Sequence, residues 1–410
     1  MVKEKLSVKK RTTTVAIAGS QVKSVRFVST EKSGFRVIKD GKIGVFGMTG
    51  KGNEAEAWAK AEQNLENQIP YPVEAESGKK ESADNTPALL GDKRFVDETE
   101  RFLAMIKQEC PKFIFSNNIQ KVELFKKIEN DQDLDLSFKT GYYIVSLIVK
   151  DEASANVFDL GYSYVGREFS PEKMAADVKN FYDAYYREAD VEEGERLVIG
   201  SVTDFGFSKI YEDILSDTYC NGTGLFAGKA GQQVLDERVT IYEDRSKDSW
   251  STPFFDDEGV SPEDGKNYLF KEGVFVAPLA CKSDAKKYGL ERAGFGSSSY
   301  DGVPQTSLSG LTIKGSGKTL EELTAGEDAV LLVMASGGDT TPDGNFATPV
   351  QASFLVRGGK LVGRLPALNI AGNIFDIYGK NFVGRAEDNP LLLCDGDDGK
   401  PVVVRMSVSK

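Results

Sequence analysis

Histidine is absent from this 410-residue chain, and its absence limits the chemistry open to the protein. Without imidazole there is no His-dependent nucleophilic triad and no imidazole general base. Carboxylates, thiols and one glycine-rich turn remain. Asp256-Asp257-Glu258 and the set Asp395, Asp397, Asp398 offer the oxygen ligands that a hard cation takes. The second set lacks a downstream Glu at calcium-loop spacing and reads as a solvated turn. Gly315-Ser316-Gly317-Lys318-Thr319 has the form of the end of a phosphate-binding loop. The full pattern needs glycine where Thr312 stands, so the backbone is not expected to wrap a phosphate. Cys110, Cys220, Cys281 and Cys394 show no CxxC spacing and read as free thiols of a reducing compartment. Nothing here calls for a cofactor.

The densest polar stretch is Thr341 to Asn373. Pro342-Asp343-Gly344-Asn345 is a turn by composition. Val350, Ala352 and Phe354 then alternate on one strand face, and Arg357-Gly358-Gly359-Lys360 closes a hairpin. Leu361 to Leu365 starts back, and Leu368-Asn369-Ile370-Ala371-Gly372-Asn373 leads into a short amphipathic piece.

These groups must be held by an α+β chain. Hydrophobic content of 40% and charged content of 28% are those of a globular protein with sizeable cores. The net charge of −12 argues against a sequence-independent grip on nucleic acid. The one basic cluster, Lys3, Lys5, Lys9, Lys10 and Arg11, is expected to be a solvated arm. No secretory leader and no membrane-spanning run is read, so a cytoplasmic location is expected. Residues 12–48 read as a β-meander, with Asp40-Gly41 its strongest hairpin signal. Helices are expected over 53–65, 92–110 and from Ser170-Pro171 onward, with a long surface loop over 69–91. Further strands are expected between 112 and 164, with turns at Asn117-Asn118, Glu129-Asn130 and Lys139-Thr140-Gly141. The acidic run 190–195 divides an N-terminal α/β domain (1–193), a meander with flanking helices, from a mostly antiparallel β domain (194–410). In the latter, 204–216 reads as helical, and Leu391–Cys394 and Val402–Val408 as a closing strand pair.

Three segments carry a resemblance to a known family. Ser33-Gly34-Phe35-Arg36-Val37-Ile38-Lys39-Asp40-Gly41-Lys42-Ile43-Gly44 is one, and Gly222-Thr223-Gly224-Leu225-Phe226-Ala227-Gly228-Lys229-Ala230-Gly231 another. The third is the 341–373 stretch, ending in Asn369-Ile370-Ala371-Gly372-Asn373. Together they resemble the TldD/PmbA family, once called modulators of DNA gyrase. That family contains zinc peptidase subunits with a His-Glu-x-x-x-His motif and sister subunits, of the PmbA or TldE type, without it. Counted back from Gly222, the motif's place falls at about Phe207 to Glu212, where no imidazole stands. The sequence departs from the family at Asp343-Gly344-Asn345-Phe346-Ala347, at its ending, and in starting almost at the strands where relatives have a helix.

The resemblance implies a non-zinc, PmbA/TldE-type subunit of a peptidase system acting on unfolded peptides. Such a subunit would be a homodimer or a heteromer with a zinc-bearing TldD-like chain, contributing cleft walls and interface but no metal. The alternative is a catalytically inactive homodimeric binding protein of the same fold. Whether the chain is an enzyme on its own stays open. Gly222, Thr223, Asp257, Glu258, Asn345, Asn369 and Asn373 are the candidate peptide-cleft or interface residues.

Overall fold

Two-residue turns set the frame. Gly19-Ser20, Asp40-Gly41 and Gly358-Gly359 all take positive φ, between 51° and 72°. That backbone twist matches the strands that each turn joins. The computed structural model describes residues 1–391 and 399–410. Cys394, the set Asp395, Asp397, Asp398 and most of the expected strand Leu391–Cys394 lie outside them.

The first half builds β1 (Val2–Ala18), β2 (Gln21–Lys39), β3 (Lys42–Thr49), α1 (Glu54–Gln63), β4 (Lys80–Asn85), α2 (Asp92–Glu109), β5 (Phe113–Asn130), β6 (Asp135–Asp151), β7 (Leu160–Gly166) and α3 (Pro171–Tyr185). The seven strands form one sheet in the order β3-β2-β1-β5-β6-β4, with β7 also on β6. Asn53 caps α1, its side chain accepting from the Ala55 and Glu56 amides. Ala57 and Ala61 of α1 cover Phe35 and Val37. Phe95, Phe102 and Ile106 of α2 cover Val15, Ile119 and Val145 on the same face of the sheet.

Three expectations change here. The basic cluster is not a solvated arm but part of β1, paired on both sides with β2 and β5. Lys5 and Lys9 are matched by Glu54 and Glu31, and Arg11 by Asp92. The 69–91 segment is not all loop, because Lys80–Asn85 lies parallel along β6 as an edge strand. Its polar residues gave no strand periodicity because this edge is largely exposed. Lys139-Thr140-Gly141 and Asn117-Asn118 do not turn either: β5 and β6 run straight through in unbroken register. Glu129-Asn130 ends β5, and the turn follows it at Asp131-Gln132-Asp133.

The second half holds β8 (Gly194–Gly200), α4 (Phe207–Ile214), α5 (Ser216–Cys220), β9 (Ile241–Asp244), β10 (Lys266–Lys271), β11 (Val274–Phe275), α6 (Lys282–Tyr288), β12 (Gly296–Ser297), β13 (Gln305–Thr306), β14 (Thr312–Ile313) and α7 (Leu320–Thr324). It continues with β15 (Ala329–Ala335), β16 (Asp339–Thr340), β17 (Asn345–Arg357), β18 (Lys360–Arg364), β19 (Leu368–Asn373), α8 (Ile374–Ile377), β20 (Phe382–Arg385) and β21 (Val402–Ser409). The main sheet runs β15-β8-β21-β19-β17-β16 and is antiparallel except between β8 and β15. The expected 204–216 helix is broken into a 3-10 turn, α4 and α5, with Gly206 in left-handed conformation between the first two (φ +71°). The final strand β21 pairs with β8, β19 and β20.

Helix α3 joins the halves. Met174 and Val178 share one core with the first sheet and with Leu331 and Val356 of the second, and Phe181 meets Phe354 edge-on at 5.3 Å. The α+β class expected from the sequence holds. No helix among the described residues is long and apolar enough to cross a membrane.

Candidate functional site

Helix α4 occupies the place where zinc-bearing relatives are expected to carry their motif. Its spacing is that of a core helix: Phe207, Ile210 and Ile214 are buried. One carboxylate turns inward, that of Asp213, 2% exposed. Lys209, one turn earlier, meets Asp213 at 2.7 Å, and Asp213 also accepts a 3.1 Å bond from the Leu225 amide. The carboxylate is therefore neutralised and used to hold the following loop. Among the described residues no three His, Cys, Asp or Glu side chains converge to hold a metal. A zinc ion does not fit the residues present: the helix turns inward three apolar side chains and one carboxylate, already paired with the Lys209 ammonium.

The loop that Asp213 holds carries Gly222 and Thr223. Both are exposed; Gly222 turns the chain with φ +74°, and the Thr223 hydroxyl bonds the Thr218 carbonyl at 3.4 Å. Leu225 then packs beside Gly344, and Phe226 lies 5.8 Å from the Phe375 ring. This reaches the polar corner, where Asn345 and Asn373 are direct partners across β17 and β19. The Asn373 amide donates to the Asp343 carbonyl and the Asn345 side chain, both at 3.1 Å. Its oxygen caps α8 by accepting from the Phe375 amide at 3.0 Å. Asn369, four residues earlier on β19, is exposed on the same side. Thus Asn345 and Asn373 meet directly, Asn369 lies further along β19, and the Gly222-Thr223 loop is tied to this corner through Leu225.

Asp257 and Glu258 are elsewhere, only 3% and 2% exposed. They sit in a charge network against the first sheet. Fully buried Arg36 on β2 donates to Glu4 of β1 at 3.0 Å, to the Asp257 carbonyl, and to the Ser298 hydroxyl at 2.6 Å. Lys126 of β5 pairs with the Asp257 carboxylate, which also accepts from the Ser298 amide at 2.9 Å. Glu258 accepts from the Tyr71 hydroxyl at 2.5 Å and the Lys282 amide at 2.7 Å. Asp256 accepts three backbone amides, those of Glu258, Val260 and Gly296. The carboxylates expected to line a cleft are instead committed inside the protein, fastening the 254–260 segment to the sheet.

Burial pushes the Glu258 carboxyl up to about 7, with the neighbouring Asp256 carboxylate adding to the rise. Asp256 is raised by the same burial. Burial also pushes Asp257 upward, but Lys126 and Arg36 outweigh it and hold that group below the usual range.

The glycine-rich turn is structural too. Thr319 caps α7 in a reciprocal box with Glu322, and the Gly317 amide donates to Glu387 at 3.0 Å. A protein carboxylate thus takes the amide that a phosphate would need. Two thiols are held back from ionising: burial raises Cys110 to about 12 and Cys281 to about 11.

Sequence reasoning missed Asp213, Arg36, Glu4, Tyr71 and Lys126. Only Asp213 left a local sign, its four-residue spacing from Lys209. The others are partners brought from far along the chain.

Residues 207–408 match the PmbA/TldA metallopeptidase C-terminal domain. Over those residues the chain carries the C-terminal domain of the TldD/PmbA family. A metalloprotease of Archaeoglobus fulgidus is 29% identical over 203 residues, 47% of this chain and 47% of that protein. The chain therefore spans about half the length of that relative. The crystal structure of TldE from Thermococcus kodakarensis covers all of this chain and 97% of its own, with a TM-score of 0.82 at 18% identity. A Thermotoga maritima protein named as a candidate modulator of a DNA gyrase gives a TM-score of 0.80 at 18% identity, covering 100% and 96%. At these identities the likeness establishes a shared fold.

Proposed function

We propose that this chain is the non-zinc, PmbA/TldE-type subunit of a cytoplasmic TldD/PmbA peptidase system that processes unfolded peptides. It supplies cleft walls and a subunit interface, and a zinc-bearing TldD-like partner supplies the metal. The observation that carries the reading is α4. Where a zinc peptidase needs ligands and a general base, this helix presents Phe207 and Ile210 to the core and closes its one inward carboxylate with Lys209. Peptide would be held by walls and backbone edges, as sheet-forming binders do. On this reading Asn345, Asn369, Asn373 and the Gly222-Thr223 loop face the partner or the peptide. The division into 1–193 and 194–410 is part of the proposal, the second domain forming the interface. Nucleic acid is not a partner in this reading. The basic residues of β1 are largely spent on carboxylates, and the net charge of −12 repels phosphate backbones.

The test is a native pull-down of the tagged chain from its own cells, with zinc content and complex mass measured. A stoichiometric second chain carrying His-Glu-x-x-x-His, with zinc, is the expected result. A metal-free assembly of this chain alone would replace the reading with that of a homodimeric binding protein.

A further inference from the structure

The first sheet has an open edge. Strand β2 runs from Gln21 to Lys39, but β3 pairs only with its Lys32–Lys39 part. Over residues 21–31 no described strand lies on that side, and β1 holds the other. Along a strand, alternate residues point their N–H and C=O groups to opposite neighbours. Asp40-Gly41 closes the hairpin at the Lys39–Lys42 pair, so the odd residues of β2 face β3. The Glu31 carbonyl keeps that phase, accepting from the Gly50 amide at 2.7 Å. The register stays unbroken back to Val25, so Val25, Phe27 and Ser29 point the same way. No strand meets them, and their three N–H and three C=O groups are open to a newcomer.

Such an edge is a template for another strand, and proteins commonly guard it with charge. Here the guard has one sign. The hairpin from Lys9 to Lys32 carries Lys9, Lys10, Arg11, Lys23, Arg26 and Lys32 against a single carboxylate, Glu31. Lys9 is matched by Glu31, and Arg11 by Asp92 with Glu123 at 3.9 Å. Lys10, Lys23, Arg26 and Lys32 form no salt bridge among the described residues; Lys32 rests over the Tyr300 ring at 4.9 Å. These cations stand on a chain whose net charge is −12.

The two faces of the edge differ. Lys10 is the cross-strand partner of Thr30, so Lys10, Arg26 and Lys32 share the even face of β2. Phe27 lies on the odd face with Val25 and Ser29, and it is 60% exposed. A second copy pairing here would set the cationic edge against itself, whereas an acidic strand would be drawn to it.

We propose that β2 takes up an extended segment of another protein as an added strand, and that this segment alternates acidic with apolar residues. Its backbone pairs with Val25, Phe27 and Ser29. Its apolar side chains lie on the Phe27 face, and its carboxylates lie across from Arg26 and Thr30, within reach of Lys10. The edge is apart from α4 and the Asn345–Asn373 corner, and the inference does not rest on the role proposed above.

The test is calorimetric titration of the purified full chain with a blocked heptapeptide of alternating Glu and Val. Its controls are the same peptide N-methylated at the valines, the Lys/Val counterpart, and oligothymidylate. The acidic peptide is expected to bind, the methylated one at least about tenfold more weakly, and the basic one not at all. Arg26→Glu should weaken the acidic peptide by about tenfold, and its exposed site leaves the melting temperature in place. Ser29→Pro removes one outward donor, where an edge strand tolerates proline, and should weaken binding as much. No binding of the acidic peptide, equal binding of the methylated one, or indifference to either variant would overturn strand addition. Equal binding of the basic peptide would overturn the charge assignment, and tighter binding of oligothymidylate the choice of a protein partner. A dimer in sedimentation that Ser29→Pro dissociates would give the edge to a second copy instead. The titration uses this chain alone, so a failed pull-down of a zinc-bearing partner would leave its outcome untouched.

Discussion

Replacing Glu258 by Gln should flatten the dependence of this protein's stability on pH. Unfolded, Glu258 ionises near the ordinary 4.5; folded, burial and Asp256 delay ionisation to about 7. Between those values the native state holds a proton that the unfolded state has released. The stabilisation it gives is fully present below about pH 4.5 and is lost as pH rises through about 7. At about 1.4 kcal/mol per pH unit, that interval corresponds to about 3 kcal/mol. Because the side chain is 2% exposed, little of this is screened by solvent. The chain suits the experiment because it has no histidine, which in most proteins dominates this window. Glutamine is neutral at every pH and keeps both contacts, its oxygen accepting from the Lys282 amide and its amide donating to the Tyr71 oxygen. Urea unfolding at half-unit steps from pH 5 to 8 should show wild type losing up to about 3 kcal/mol and E258Q much less. The residual slope belongs to Asp256 and to Asp204, both raised by burial. Parallel profiles for the two proteins would refute the argument.

Arg36→Met leaves Glu4 and the Asp257 carbonyl without their buried partner and should cost about 3–5 kcal/mol in urea unfolding; a loss below about 1 kcal/mol would contradict the network. Gly34→Ala places a methyl carbon 1.8 Å from the Tyr300 carbonyl oxygen, a backbone atom that cannot swing aside. It should cost about 1–3 kcal/mol and open the 298–301 segment to protease, and unchanged cleavage kinetics would count against it. Asn373→Ala removes the α8 cap and the link to Asn345, for a loss of about 1 kcal/mol. In the proposed assembly it should also weaken subunit association in sedimentation, and loss of activity with assembly intact would contradict that.

What could be read in advance was local. Asp40-Gly41 and Gly358-Gly359 state their turn type in their residue types, and α2 and α3 announce themselves by apolar spacing. The corner of Asn345 and Asn373 was visible because the turn and the strand flanking it lie within one short stretch. Asp256-Asp257-Glu258 was visible as a cluster but not as a buried clamp, since its partners Glu4, Arg36, Tyr71 and Lys126 lie more than a hundred residues away. Strand β4 was hidden for another reason: at an exposed edge, KESADN needs no apolar face, so nothing alternates. Turn-forming residues at 139–141 were overridden by the hydrogen bonds of the long ladder on either side.

The clamp also orders events while the protein is being made. The first sheet is complete at Gly166, but the segment that covers Arg36, Glu4 and Lys126 begins near Phe254. At about 5–20 residues per second, a ribosome takes roughly 5–20 s to cross that interval. Throughout it, Leu6, Ile128 and Phe138 lack the cover that Phe254 and Phe255 later provide. The charged groups beside them are hydrated until Asp257 arrives. The same guanidinium and ammonium that later lock the halves together first keep an unfinished sheet from sticking to its neighbours on the polysome. In chains stalled near residue 200 this face should be open to protease, and in chains stalled well past residue 300 it should be closed.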